Sequence, residues 1–298
     1  MKPAAIVAAA TIAVVIAVLP LTACSSAPEP TGEVTTLRRQ AERNIAHGYE
    51  ALYQGRVREA ELFFETALNQ YRRLDDRSGI ADGFAALGRT RTVAGDLVTA
   101  ADYLREAAVQ AEEAAARPRA VEYYAALAET ELRRDRRGPA EQALQASTRI
   151  LEEHPNDAAR AVNLHSAAVL TASAGRLQEA EDYLREALEL NREGRRYREL
   201  AANHYMMASV LSRRELYETA LEHAAAALET DKLIENSVGI AQDLIALGRI
   251  SYRAGDRTAA RHYYERASSV YIGLQDENGL RRAQALLAEL EHPEERSR

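Results

Sequence analysis

Small apolar residues recur along the chain every forty positions. Alanine stands at Ala60, Ala100, Ala140, Ala180, Ala220 and Ala260, and seven places after each come Ala67, Ala107, Ser147, Ala187, Ala227 and Ala267. Twelve places before the first set lie Gly48, Gly88, Ala128, Ala168, Ala208 and Gly248, and Ala288 continues that series. Bulky residues keep a register of their own at Phe64, Leu104, Leu144, Leu184 and Tyr264, interrupted by Ala224. A fixed period of this length marks stacked supersecondary units, none of which buries its apolar face alone. The pattern predicts a pair of antiparallel helices per unit, with small residues where the helices approach closely and bulky ones between neighbouring units.

The turns between helices are legible too. Gly55, Gly95, Gly175 and Gly255 fall where a first helix should end, and "AGD" at 94–96 and 254–256 reads as a left-handed C-cap followed by an N-cap. Asp135 and Glu215 hold that place in the third and fifth units, beside Arg136-Arg137-Gly138-Pro139 and Arg213-Arg214. Corners of a looser or different shape are expected there.

With small residues at positions 8, 20 and 27 and a bulky one at 24, the spacing resembles the tetratricopeptide repeat family over about Asn44 to Ser269. The period exceeds the family's common 34 residues, so the chain resembles its longer variant; "LDDRSGIADGFAALG" (74–88) and "LQDENGLRRAQALLA" (274–288) carry that variant's turn and helix start. The resemblance implies an all-α, right-handed superhelical solenoid of six helix-turn-helix repeats over 37–292, closed by a seventh first-type helix at Gly279 to His292 that acts as a cap, with a polar tail at 293–298. It also implies a concave face lined by first-helix positions 2, 5, 9, 12 and 13 that binds protein or peptide partners. Carried onto this chain, those positions give a candidate groove of Tyr49, Tyr53, Arg89, Arg133, Tyr205, Arg213, Arg249 and Arg253. Arginine, tyrosine and apolar residues together suit a peptide with some acidic character. The alternative is that the arginines pair with Glu42, Asp82 and Glu122 on the same face. The carboxylate clamp of the family's chaperone-binding members needs Asn at position 9, which is absent here.

The N-terminus departs from this pattern. Ala4 to Leu19 is an unbroken run of Ala, Val, Ile, Leu and one Thr, short for a membrane span and long enough for a signal-peptide core. Leu21-Thr22-Ala23-Cys24 follows it and resembles the lipobox of bacterial lipoproteins, which implies removal of residues 1–23 and acylation, such as palmitoylation, of Cys24. Two or three acyl chains hold a protein stably at a bilayer, at ~0.8 kcal/mol per buried CH₂. Ser25 after the cysteine resembles the sorting signal for the periplasmic face of the outer membrane; in a single-membrane host the same signal implies the outer face of the cell membrane. Residues 24–36 read as a flexible Pro/Gly/Ser/Thr-rich tether.

Composition narrows function further. The net charge of −7 argues against nucleic acid held through phosphate neutralisation. Cys24 is the only cysteine of 298 residues, so a disulfide within the chain is impossible. No two of the seven histidines show zincin spacing, and no phosphate loop or nucleophile elbow occurs, so no catalytic residue, metal site or cofactor is expected. His165 and His204 lie on first helices of adjacent repeats and are the pair to watch for convergence. The reading is a membrane-anchored extracytoplasmic scaffold or adaptor and not an enzyme. Alternatives are a pilotin-like assembly factor for a type IV pilus or secretin system, an adaptor that gathers peptidoglycan enzymes, an envelope enzyme subunit, and a solute receptor; the last requires a closed apolar pocket.

Overall fold

A computed structural model of the protein describes residues 32–291, and side-chain surroundings for 36–290. Cys24 and the segments 1–31 and 292–298 lie outside the described residues. Thirteen helices follow one another among the described residues: α1 (Gly32–Tyr53), α2 (Val57–Arg73), α3 (Arg77–Ala94), α4 (Leu97–Glu113), α5 (Arg117–Arg133), α6 (Arg137–Glu153), α7 (Asp157–Ser173), α8 (Leu177–Glu193), α9 (Tyr197–Arg213), α10 (Tyr217–Leu233), α11 (Ser237–Arg253), α12 (Arg257–Gly273) and α13 (Glu277–Glu291). Odd-numbered helices are the first helices of the repeats, and each packs on the even-numbered helix that follows it. The architecture is the all-α solenoid of tetratricopeptide type, with α13 as the unpaired last helix. Helix α1 begins at Gly32, so the last five residues of the expected tether are helical.

The periodic residues explain the packing. Ala60, Ala100, Ala180, Ala220 and Ala260 are fully buried, as are Phe64 and Leu184, while Leu104 and Tyr264 are nearly so. Burying a side chain of that size contributes about 1.5–3 kcal/mol per repeat. Where glycine holds position 8, the bulky partner fills the vacated space: a Cβ on Gly88 would lie 2.8 Å from Leu104 Cγ, and one on Gly48 or Gly248 would run into the ring of Phe64 or Tyr264. Side-chain caps start several helices, with Asp96 and Asp256 accepting from the Thr99 and Ala259 amides at 3.1 and 2.9 Å.

The corners differ from expectation at two places. Asp135 and Glu215 adopt left-handed φ values of 60° and 65°, like the 72–91° of Gly55, Gly95, Gly175 and Gly255. Each closes the same turn; Arg136 N–H bonds to Glu131 O at 2.9 Å and Leu216 N–H to Leu211 O at 3.0 Å. Packing on both sides imposes the shape, and the side chain bears the strain. The left-handed residue also recurs between repeats, at Asp75, Ala115, Arg195, Glu235 and Gln275, so the corner has a twenty-residue period.

Pro155 interrupts that series. Its ring fixes φ near −65°, so it cannot take the left-handed conformation, and Asn156 is extended instead (φ −152°, ψ 117°). Helix α7 then packs on α5 more than on α6, whereas the other junctions stack a first helix on the second helix before it. Leu144, expected to fill the space between repeats, is only partly buried and lines an open cleft of about 420 Å³ with Leu170 and Arg176.

Candidate functional site

Side chains from successive odd-numbered helices meet along one face. Arg89 of α3 lies over the Tyr49 ring of α1, 5.9 Å from its centroid, and donates to its hydroxyl at 3.2 Å. Asp82 accepts from Arg119 at 2.7 Å and from the Tyr123 hydroxyl at 2.5 Å. Burial raises the Asp82 carboxyl above its ordinary value against the pull of those donors, and raises the Tyr123 hydroxyl as well. Ser166 donates to Glu129 at 2.6 Å, and His165 Nδ1 lies 2.6 Å from Asn203 Oδ1. Arg198 at the start of α9 then reaches back to α1, over the Tyr53 ring at 5.8 Å and bonded to its hydroxyl at 3.2 Å. A contact across 145 residues requires the row of odd-numbered helices to curl on itself. That row is the inner face.

The predicted groove residues divide into two groups on this face. Tyr205, Arg213, Arg249 and Arg253 converge on one cavity of about 450 Å³ between α9, α11 and α13. Ile250, Leu286 and Leu290 supply its apolar lining, Tyr252 adds a ring, and Glu289 is the single carboxylate among the described lining residues. Burial pushes the Tyr264 hydroxyl at the cavity wall up to about 12. The arginines and Tyr205 are solvent-exposed, so the cavity is an open trough and lacks the closed apolar form a solute receptor requires. Tyr49, Tyr53, Arg89 and Arg133 lie outside it. Tyr49 and Arg89 satisfy each other, Tyr53 is engaged by Arg198, and Arg133 stands exposed. Asp82 pairs with Arg119 and not with a groove arginine.

His165 and His204 are not brought together. His204 pairs with His223 of α10, Nδ1 to Nδ1 at 2.9 Å. Burial, with the neighbouring His223 and Arg192, lowers His204 to about 4, so the imidazole is neutral at pH 7. The same place in the second repeat holds the Phe84–Tyr103 ring pair at 6.0 Å, which marks the histidines as an interhelical packing pair. Among the described residues no group of three or more His, Cys, Asp or Glu is placed to hold a metal, and no helix is long and apolar enough to cross a membrane.

Sequence reasoning missed three features. The wall supplied by α13 was readable, because Glu289 is position 9 of the register that Ala288 continues. The Arg198–Tyr53 contact had no signal, since it depends on how tightly the stack curls. The third is a buried carboxyl pair: Asp243 of α11 faces Asp231 of α10, both nearly inaccessible, and Asp243 Oδ2 has no hydrogen-bond partner. Burial and the Asp231 charge push Asp243 up to about 8.

Residues 198–272, which cover the two repeats whose first helices α9 and α11 wall the cavity, match the tetratricopeptide repeat family. No curated protein sequence matches the chain. Solved structures are similar in fold at low identity. A signal-transduction ATPase with numerous domains and a tetratricopeptide repeat sensor, from Pyrococcus horikoshii, aligns over 87% of this chain with a TM-score of 0.64 and 15% identity; the chain spans only 38% of that protein. Aspartyl phosphate phosphatase F from Bacillus subtilis aligns over 89% of this chain and 72% of its own, with a TM-score of 0.60 and 13% identity. A Rap protein complexed with competence and sporulation factor aligns over 87% and 73%, with a TM-score of 0.60 and 17% identity. At these identities the likeness is one of fold.

Proposed function

We propose that the protein is a lipid-anchored scaffold of the bacterial cell envelope, attached through Cys24 and docking a protein partner on the inner face of its solenoid. The observation that carries the docking surface is the cavity between α9, α11 and α13, where four residues of the expected groove converge on an open, partly apolar trough. The anchor rests on the Leu21-Thr22-Ala23-Cys24 motif after its apolar run, and Ser25 favours the periplasmic face of the outer membrane in a two-membrane host. Seven residues lie between Cys24 and the start of α1 at Gly32, and the eight residue steps span at most about 29 Å when extended. A partner held in the groove is therefore confined near the bilayer, where its effective concentration for a membrane-bound target rises to about the millimolar range.

A photocrosslinker placed at Tyr205 on the inner face should capture a discrete partner in native membranes, and one at the exposed Leu62 of α2 should not. Capture from Leu62 alone would overturn the docking surface. For the anchor, Cys24→Ser should abolish metabolic labelling by palmitate and release a folded, soluble protein; a variant that stays membrane-bound after signal removal would refute it.

A further inference from the structure

The inner face is not chemically uniform along its length. We infer that binding is confined to its C-terminal end and directed at carboxylates: Arg213, Arg249 and Arg253 receive acidic side chains of a partner's peptide segment, and the apolar floor takes an adjoining aliphatic side chain. This rests on the reading of the inner face as the docking surface, and adds the chemistry and the place.

In the N-terminal half several polar groups of the inner face are already engaged, Arg133 excepted. Arg89 is taken by Tyr49, Asp82 by Arg119 and Tyr123, and Glu129 by Ser166. Arg198 closes over Tyr53. A ligand docking there would have to break these pairs before it gained any of its own.

The C-terminal end is the opposite case. Among the described residues, no carboxylate forms an ion pair with Arg213, Arg249 or Arg253, and Arg253 makes only a long bond to Ser212 Oγ at 3.4 Å. Arg249 and Arg253 lie four residues apart on one face of α11, where like charges oppose each other, and Arg213 faces the same space from α9. Other arginines do meet carboxylates: Arg105, Arg134 and Arg136 surround the buried Glu131, and Arg214 meets Glu181. Three arginines against one carboxylate, Glu289, give the cavity a net positive lining in a protein of net charge −7.

Guanidinium forks match the planar, two-oxygen geometry of a carboxylate. The cavity of about 450 Å³ falls within the usual range of ligand pockets, about 300–1,000 Å³, and exceeds what one carboxylate fills. Ile250 and Leu290, both buried, and Leu286 offer the remaining space to an aliphatic group. Because the trough opens along the inner face, an extended segment can enter and leave it.

The test uses the mature full chain in detergent and a fluorescein-labelled peptide, Ser-Glu-Glu-Leu-Glu-Ser, read by anisotropy. The peptide should bind and weaken steeply as salt rises. The double substitution Arg249→Gln with Arg253→Gln should weaken it at least tenfold with an unchanged melting curve. Arg133→Gln, at the register position of Arg253 but outside the cavity, should leave affinity within twofold. Equal binding of the Ser-Gln-Gln-Leu-Gln-Ser peptide, or an equal loss in Arg133→Gln, would overturn the inference. So would glutarate or inorganic phosphate binding as tightly as the peptide, since the site would then take a small anion. If the double variant keeps its peptide while Tyr205 still crosslinks a partner, this inference fails and the docking surface stands; loss of the Tyr205 crosslink removes both.

Discussion

Asp243→Asn should stabilise the protein increasingly as pH rises, an unusual direction for removal of a carboxylate. In the folded state Asp243 is 2% exposed, faces Asp231, and holds its proton up to about pH 8, whereas in the unfolded chain it ionises near its ordinary 3.8. Its folded pKa is raised, so the unfolded state binds fewer protons between those values, and its contribution is complete below about pH 4 and lost as pH rises to about 8. One proton of difference corresponds to at most about 1.4 kcal/mol per pH unit. Asparagine keeps the shape and supplies permanently the donor that the protonated acid lends to Asp231. The repeats show that the place accepts it, since Asn163 and Asn203 occupy the equivalent positions, both buried. Urea unfolding at pH 5 and at pH 8 reads the result directly. The gain in the variant should exceed that at pH 5 by about 2–4 kcal/mol at pH 8. A gain that is equal at both pH values, or a loss at pH 8, would refute the shared-proton account.

Other consequences are open to measurement. Ala180→Leu forces extra carbons into a fully buried contact between helices of one repeat and should cost about 1–3 kcal/mol; an unchanged melting temperature would break the packing register. Glu215→Gly relieves a left-handed non-glycine corner at φ 65° and should gain about 0.5–1 kcal/mol, whereas a destabilised variant would mean the corner is not strained. His204 has a folded pKa of about 4, below its unfolded value, so its contribution is complete above about pH 6.5 and declines as pH falls towards 4. Replacing the pair by the rings of the second repeat, His204→Phe with His223→Tyr, should flatten acid unfolding in that window; an unaltered acid midpoint would count against it.

The sequence by itself determined the repeat. Alanine and glycine at three places per forty residues allow only close helix pairs, and their large partners, Phe64 and Tyr264 among them, are set by the volume those small residues leave. The cap helix and half of the candidate groove followed from the same register, because identical positions on stacked helices face the same way. The corners at Asp135 and Glu215 were misread because local propensity was weighed without the packing that overrides it. Tertiary structure alone decided how the stack curls. The Arg198–Tyr53 contact arises from small rotations summed over several repeats, which no local pattern encodes, whereas the displaced junction at Pro155 has a local cause in the proline ring. The same summation separates inner-face arginines that find partners from those that do not. Arg89 and Arg249 share one register position, yet Tyr49 lies beside the first and an open trough beside the second.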